Sequence, residues 1–180
     1  MTSLTTYQDR LRHIGCRYEG SAAPCAHQIH ALVSRSPMLE DRTLDEVRRL
    51  SLYMDLWSAP AGTCVIGEGE PGDFMLLVIG GSVEVVKRDR WGMTKRIAVV
   101  RAGETLGEMS MLDGEPRFAS CHLLEDATFA VLHGDHFERL IDDDPQLASR
   151  ILLKLNRMLS QRLRQTGAKL VAYMETMRAT

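Results

Sequence analysis

The spacing of apolar positions changes twice along the chain. Up to about residue 60 it is helical, and short helices are expected. CAHQIHALVSRSP places Ile29, Leu32 and Val33 on one face, and Pro37 ends the run. TLDEVRRLSLYM opens with Thr43 and, three residues later, Glu46, the spacing of a capping box. It carries Leu44, Val47, Leu50 and Met54 as its buried stripe. GSAAP, residues 20–24, reads as a loop between helices. From about 61 to 132 the period shortens: TCVIGEGEPGDFMLLVIGGSVEVVKRD, RIAVV and TFAVL are β-rich runs separated by glycine-rich turns. Regular short strands predict a β-sandwich or barrel, with no long helix among them. The third zone is one long helix. Asp144 is placed to cap it and Pro145 occupies the first turn, where its missing amide hydrogen costs nothing. Leu152, Leu155, Leu159, Leu163, Thr166, Leu170, Tyr173 and Met177 then step by threes and fours, close to a heptad seam. About 34 helical residues would span ~50 Å, more than one small domain covers, so the remainder calls for a partner helix.

Composition narrows the class. With 180 residues, 44% hydrophobic and 26% charged, one globular domain with helical extensions is expected. The 22 basic and 24 acidic side chains nearly cancel, so no global field points to nucleic acid or membrane, and such a partner would need a local patch. One patch is visible: from Leu147 onward the helix carries Arg150, Lys154, Arg157, Arg162, Arg164, Lys169 and Arg178 against Glu175 alone. A solvated face is the plain reading of it, and an acidic partner or nucleic acid the alternative. Cys16, Cys25, Cys64 and Cys121 are scattered, as reduced thiols in a cytoplasmic protein would be. The amino terminus has no apolar signal core, and no run approaches a membrane span. Cys25 with His27 and His30, and His133 with His136, fall short of the ligands a metal site needs. Cys16 and Cys25 are too few for an iron-sulfur cluster. No nucleophile with its base and no paired carboxylates stand at catalytic spacing, so no enzyme is expected.

The stretch LGEMSMLDGEPRFAS, Leu106–Ser120, carries the candidate chemistry. Gly107 before a turn of helix lets the backbone approach a ligand, and the first free amides of that turn attract an anion. Arg117, reached through a short acidic loop, is suited to paired, charge-assisted bonds to phosphate oxygens. Glu108 would repel the same anion and must instead receive donors, such as sugar hydroxyls. Phosphate plus ribose is a nucleotide.

These residues resemble the cyclic nucleotide-binding domain family. One signature is VIGEGEPGDFMLLVIGG, Val65 to Gly81, with glycines at 69, 72 and 81 and the apolar run Met75 to Val78. The second is the phosphate-binding cassette GEMSMLDGEPRFAS, with Gly107, Glu108, Ser110, Arg117 and Ala119 in matching places. The resemblance covers about residues 26 to 175. It implies an α+β, mainly β fold: an antiparallel jelly-roll barrel of about eight strands, with N-terminal helices and a long C-terminal helix. The organisation expected is an extension over 1–25, the nucleotide-binding domain over 26–142 and a dimerisation or hinge helix over 143–180. The resemblance also implies roles. Glu108 would accept from the ribose 2′-hydroxyl, Arg117 would hold the exocyclic phosphate oxygens, and amides around Met109, Ser110, Phe118 and Ala119 would complete the cradle. In RLRQTGAKL, Thr166 would meet the adenine amino group, while Gly167 stands where the family's dimeric members place a serine. Phe118 also departs from the usual small or hydroxyl-bearing residue after the arginine, which disfavours cyclic GMP. Cys121 replaces an aliphatic residue and packs as a small hydrophobe.

The function expected is a sensor for a cyclic nucleotide, cyclic AMP before cyclic GMP, needing no cofactor and no metal. It would signal through a separate effector or its own homodimer, since no DNA-reading helix pair follows the long helix. A scaffold whose pocket is filled by Phe118 is the alternative. A transcription regulator using the basic helix alone ranks below both.

Overall fold

The computed structural model describes residues 6–178. The first five residues of the expected 1–25 extension, and the side chain of Arg178, lie outside the described residues. In chain order the elements are α1 (Tyr7–His13), β1 (Arg17–Ser21), α2 (Ala26–His30), α3 (Leu44–Ser51), β2 (Met54–Ala59), β3 (Cys64–Ile66), β4 (Phe74–Gly80), β5 (Ser82–Arg88), β6 (Thr94–Arg101), β7 (Thr105–Leu106), α4 (Glu108–Asp113), β8 (Ser120–Leu123), β9 (Ala127–His133), α5 (Gly134–Asp143) and α6 (Pro145–Arg178).

The strands form two antiparallel sheets, ordered β1-β2-β9-β4-β7 and β3-β8-β5-β6. This corrects the expected single barrel of about eight strands. No ladder closes the sheets on each other among the described residues, and what joins them is side chains. Trp57, Leu76, Val78, Phe129 and Val131 of the first sheet meet Val65, Ile66, Val83, Val100, Cys121 and Leu123 of the second in one core. The opposite face of the first sheet carries Met54, Met75, Leu77, Ile79, Ala130 and Leu132, covered by the helices through Ile29, Val47, Leu50, Leu140, Ile151 and Leu155. β4 and β9 are therefore buried on both faces, and this is why FMLLVI and FAVL read as continuous apolar runs instead of alternating ones.

The N-terminal zone also departs from expectation. It holds two strands as well as helices: β1 includes Gly20 and Ser21 of the expected loop and pairs with β2. Met54, assigned to the helical stripe, starts β2 instead. The cap was read correctly, for the Thr43 hydroxyl accepts from the Glu46 amide while the Glu46 carboxylate accepts from the Thr43 amide. Asp144 accepts from the Leu147 amide at 3.1 Å and caps α6, whose 34 residues match the length expected. No helix among the described residues is long and apolar enough to cross a membrane.

Candidate functional site

The cassette sits at the edge of the first sheet, where β7 runs into α4. Gly107 caps α4 with a left-handed backbone (φ 79°), and Gly114 leaves it the same way (φ 72°), so LGEMSMLDG folds as one tight turn of helix between two glycine hinges. The first amides of α4 have no carbonyl behind them within the helix.

Arg117 does not reach into solvent. Its residue is 4% exposed, the guanidinium stacks 4.5 Å from the centre of the Phe74 ring, and Nη1 and Nη2 donate to the carbonyls of Gly107 and Phe74, both at 2.8 Å. Two glycines make the socket possible: a Cβ at Gly72 would fall on the guanidinium, and one at Gly107 would lie 2.6 Å from Nη1. The backbone of Arg117 is fixed as well. Its amide donates to Glu70 O and its carbonyl accepts from the Gly69 amide, each at 2.8 Å, which stitches the cassette to the loop of residues 67–73. Burial pushes the guanidinium down to about 10, so it stays charged at neutral pH while lacking much of its hydration. A guanidinium has five N–H groups, and two are used here. The others have no hydrogen-bond partner among the described residues.

Glu108 is also buried, at 1% exposure. Oε1 is paired with Arg162 of α6, and Arg162 Nη2 donates to the Thr105 carbonyl at 3.3 Å. Oε2 has no partner among the described residues, nor has the Thr105 hydroxyl. Unpaired buried acceptors are uncommon in folded proteins and mark a place where a donor belongs. Glu108 and Arg117 thus lie buried in one cassette, a carboxylate with an unpaired acceptor and a guanidinium with unused donors.

Of the other expected residues, Ser110 and Ala119 are buried while Met109 and Phe118 are exposed. Phe118 belongs to neither core. Its ring lies 4.4 Å from Lys87 Nζ, and Lys87 also donates to the Phe118 carbonyl at 2.6 Å and to Glu68 at 2.9 Å. Thr166 is exposed on α6, one turn beyond Arg162, and among the described residues no hydrogen bond joins it to the cassette. Burial pushes the Cys121 thiol, whose strand leaves the cassette, up to about 12.

Arg162 was missed as a site residue because it stood among seven cations counted as one patch. Three of those seven are ion-paired to the body: Arg150 to Glu46 at 2.6 Å, Lys154 to Glu40 at 2.7 Å and Arg162 to Glu108. The signal available in the sequence was the order of the charges, since a buried carboxylate in a cassette requires a cation from somewhere.

Comparison with known proteins shows which family the chain belongs to. A family model described as the cyclic nucleotide-binding domain matches residues 56–144. A crystal structure of a cyclic nucleotide-binding domain from Methylobacillus flagellatus is 35% identical, covers 87% of this chain and 88% of its own, and superposes with a TM-score of 0.78. The chain belongs to the cyclic nucleotide-binding domain family. Among its relatives, a CRP-like cAMP-activated global transcriptional regulator of Mycobacterium tuberculosis is 30% identical over 62% of the chain. A cAMP-dependent protein kinase regulatory subunit of Aspergillus fumigatus is 34% identical over the same share. The chain spans 48% of the first and 26% of the second, so it shares a module with them and not their whole length. The family match contains Glu108 and Arg117 but ends at Asp144, before Arg162 and Thr166.

Proposed function

We propose that this cassette is a cyclic nucleotide receptor, with cyclic AMP the preferred ligand. The observation that carries the reading is two buried groups of one cassette: Arg117 keeps unused donors, and Glu108 keeps the unpaired acceptor Oε2. A cyclic phosphate would take the donors of Arg117 and the first amides of α4, and a ribose hydroxyl would donate to Oε2 while Arg162 stays on Oε1. Phe118 turns to solvent under Lys87, which favours an open pocket over the filled-pocket scaffold. It also brings no hydroxyl to a guanine amino group, and this favours cyclic AMP, the nucleotide in the names of both relatives.

The output belongs to α6. Arg162 ties the carboxylate that would hold the ribose to the helix that leaves the body, so occupancy bears on helix position through a direct ion pair. Leu163, Leu170, Tyr173 and Met177 beyond it are exposed, and a parallel helix pair would cover them. Thr166 would then approach a nucleotide from the same face. The module acts as a cytoplasmic sensor without chemistry on its ligand, through its own dimer or a separate effector. Calorimetric titration with cyclic AMP, cyclic GMP and cyclic di-GMP tests it. Cyclic AMP should bind most tightly, and Arg117→Ala should weaken it about a hundredfold, the loss of two charge-assisted bonds. Absence of binding to all three would establish the scaffold instead.

A further inference from the structure

The helix α1 lies outside the family match, yet it touches the socket that holds Arg117. Arg10 donates to the Pro71 carbonyl at 2.9 Å and pairs with the Asp73 carboxylate, so it holds the residues on both sides of Gly72. Gly72 is the residue whose bare Cα faces the Arg117 guanidinium. One residue after Asp73 comes Phe74, whose carbonyl receives Arg117 and whose ring supports it from below. The same ring is met by α1 again, with the Tyr7 ring centre 5.9 Å away and the Arg10 guanidinium at the same distance.

A second chain of contacts closes the arrangement. Tyr7 stacks on His133 at 4.7 Å between ring centres and donates its hydroxyl to Asp55. His133 Nδ1 accepts from the Asp135 amide, which leaves Nε2 as the protonated nitrogen, 3.2 Å from the Asp73 carboxylate. The Asp73 carbonyl accepts from the Gly134 amide at 2.7 Å. Residues 71–74 are therefore clamped between α1 and the β9–α5 corner, with their inner side turned to Arg117.

We propose that α1 is a working part of the anion site, with Arg10 and Tyr7 as positioning residues that hold the 71–74 backbone against the Arg117 guanidinium. This rests on the cyclic nucleotide reading of the cassette. A guanidinium binds an anion tightly only when its plane is set before the anion arrives, because the cost of ordering it is then already met in folding. The socket sets that plane with two carbonyls and a ring, and α1 fixes the segment carrying the ring and one of the carbonyls. By reciprocity, an anion that tightens Arg117 in its socket also tightens α1 on the loop, which gives the receptor a second output at its N-terminal end.

The test uses the full chain and two readouts. In ligand-free protein, amide exchange by NMR is compared between wild type and Arg10→Ala at Arg117 and Gly69, whose amides stitch the loop to the cassette. Leu123, whose amide donates to Thr63 in a turn that α1 does not clamp, serves as control. Exchange should quicken severalfold at Arg117 and Gly69 and stay unchanged at Leu123. Calorimetry with cyclic AMP should then show Arg10→Ala weakening affinity about three- to fivefold, the scale of a partly exposed ion pair. Arg10→Lys should recover part of the loss, and Tyr7→Ala should act in the same direction. In an Arg117→Ala background the Arg10 substitution should cost nothing further, since both act through one group. Equal losses in both backgrounds, or an undisturbed loop in Arg10→Ala, would overturn the inference. A wild type that binds no cyclic AMP while Arg10→Ala still loosens Arg117 would remove the nucleotide reading and leave the positioning role standing.

Discussion

The two halves of α6 carry the same kind of apolar stepping and have opposite fates. In the first half Leu147, Ala148, Ile151, Leu155 and Met158 are buried in the core under the first sheet, and Arg150 and Lys154 clip the helix to carboxylates of the body. From Gln161 to Met177 every residue is exposed, including Leu163 at 74% and Tyr173 at 64%, over roughly 25 Å of helix. The change occurs at Arg162, on the carboxylate of the cassette. An apolar stripe therefore says that a helix face is to be covered, and the polar residues between say what covers it. Where cations find carboxylates of the same chain the helix is docked, and beyond Arg162 the same stepping stands exposed.

The contrast breaks most sharply in the core. Leu155→Ala in the docked half should cost about 2 to 5 kcal/mol, a cavity in a packed core, whereas Leu170→Ala should stay within about 0.5 kcal/mol in a monomer. Thermal melts of the two variants measure the difference directly, and equal shifts would mean that the exposed half is covered in solution. Arg162→Ala should fall between them, at about 1 to 3 kcal/mol, because it leaves a buried carboxylate with no partner at either oxygen. Glu108→Gln with Arg162→Ala should restore part of that loss.

Much of this was legible beforehand. The capping box at Thr43, the cap at Asp144, the length of the last helix and the single turn after Gly107 all follow from residues within a few positions of each other, and local chemistry decides them. That Glu108 and Arg117 belong to one short segment was legible for the same reason. What escaped was long-range. β1 exists because β2 offers it an edge, the division into two sheets instead of a closed barrel is set by which strand edges pair, and Arg162 matters because of a carboxylate 54 positions earlier. The expected seam divides: Leu155 belongs to the molecule's own core, while Leu163, Leu170, Tyr173 and Met177 are exposed.

Two smaller effects sharpen the contrast. Leu163→Asp with Leu170→Asp should turn a homodimer into a monomer by sedimentation at micromolar concentration with little change in melting temperature, since neither side chain supports the body. Wild type that sediments as a monomer with and without cyclic AMP would assign the free half to a different protein. Gly72→Ala should weaken cyclic AMP binding about tenfold and also lower the melting temperature, because the new methyl displaces the buried Arg117 guanidinium from its two carbonyls and the Phe74 ring.

The coupling of the cassette to the helix is tested most directly by hydrogen exchange across residues 158–170, with and without saturating cyclic AMP, in wild type and in Arg162→Ala. Cyclic AMP should change exchange around Arg162 in wild type, and Arg162→Ala should abolish that change while calorimetry still detects bound nucleotide. Identical exchange in free and nucleotide-bound wild type, with binding established on the same sample, would contradict it.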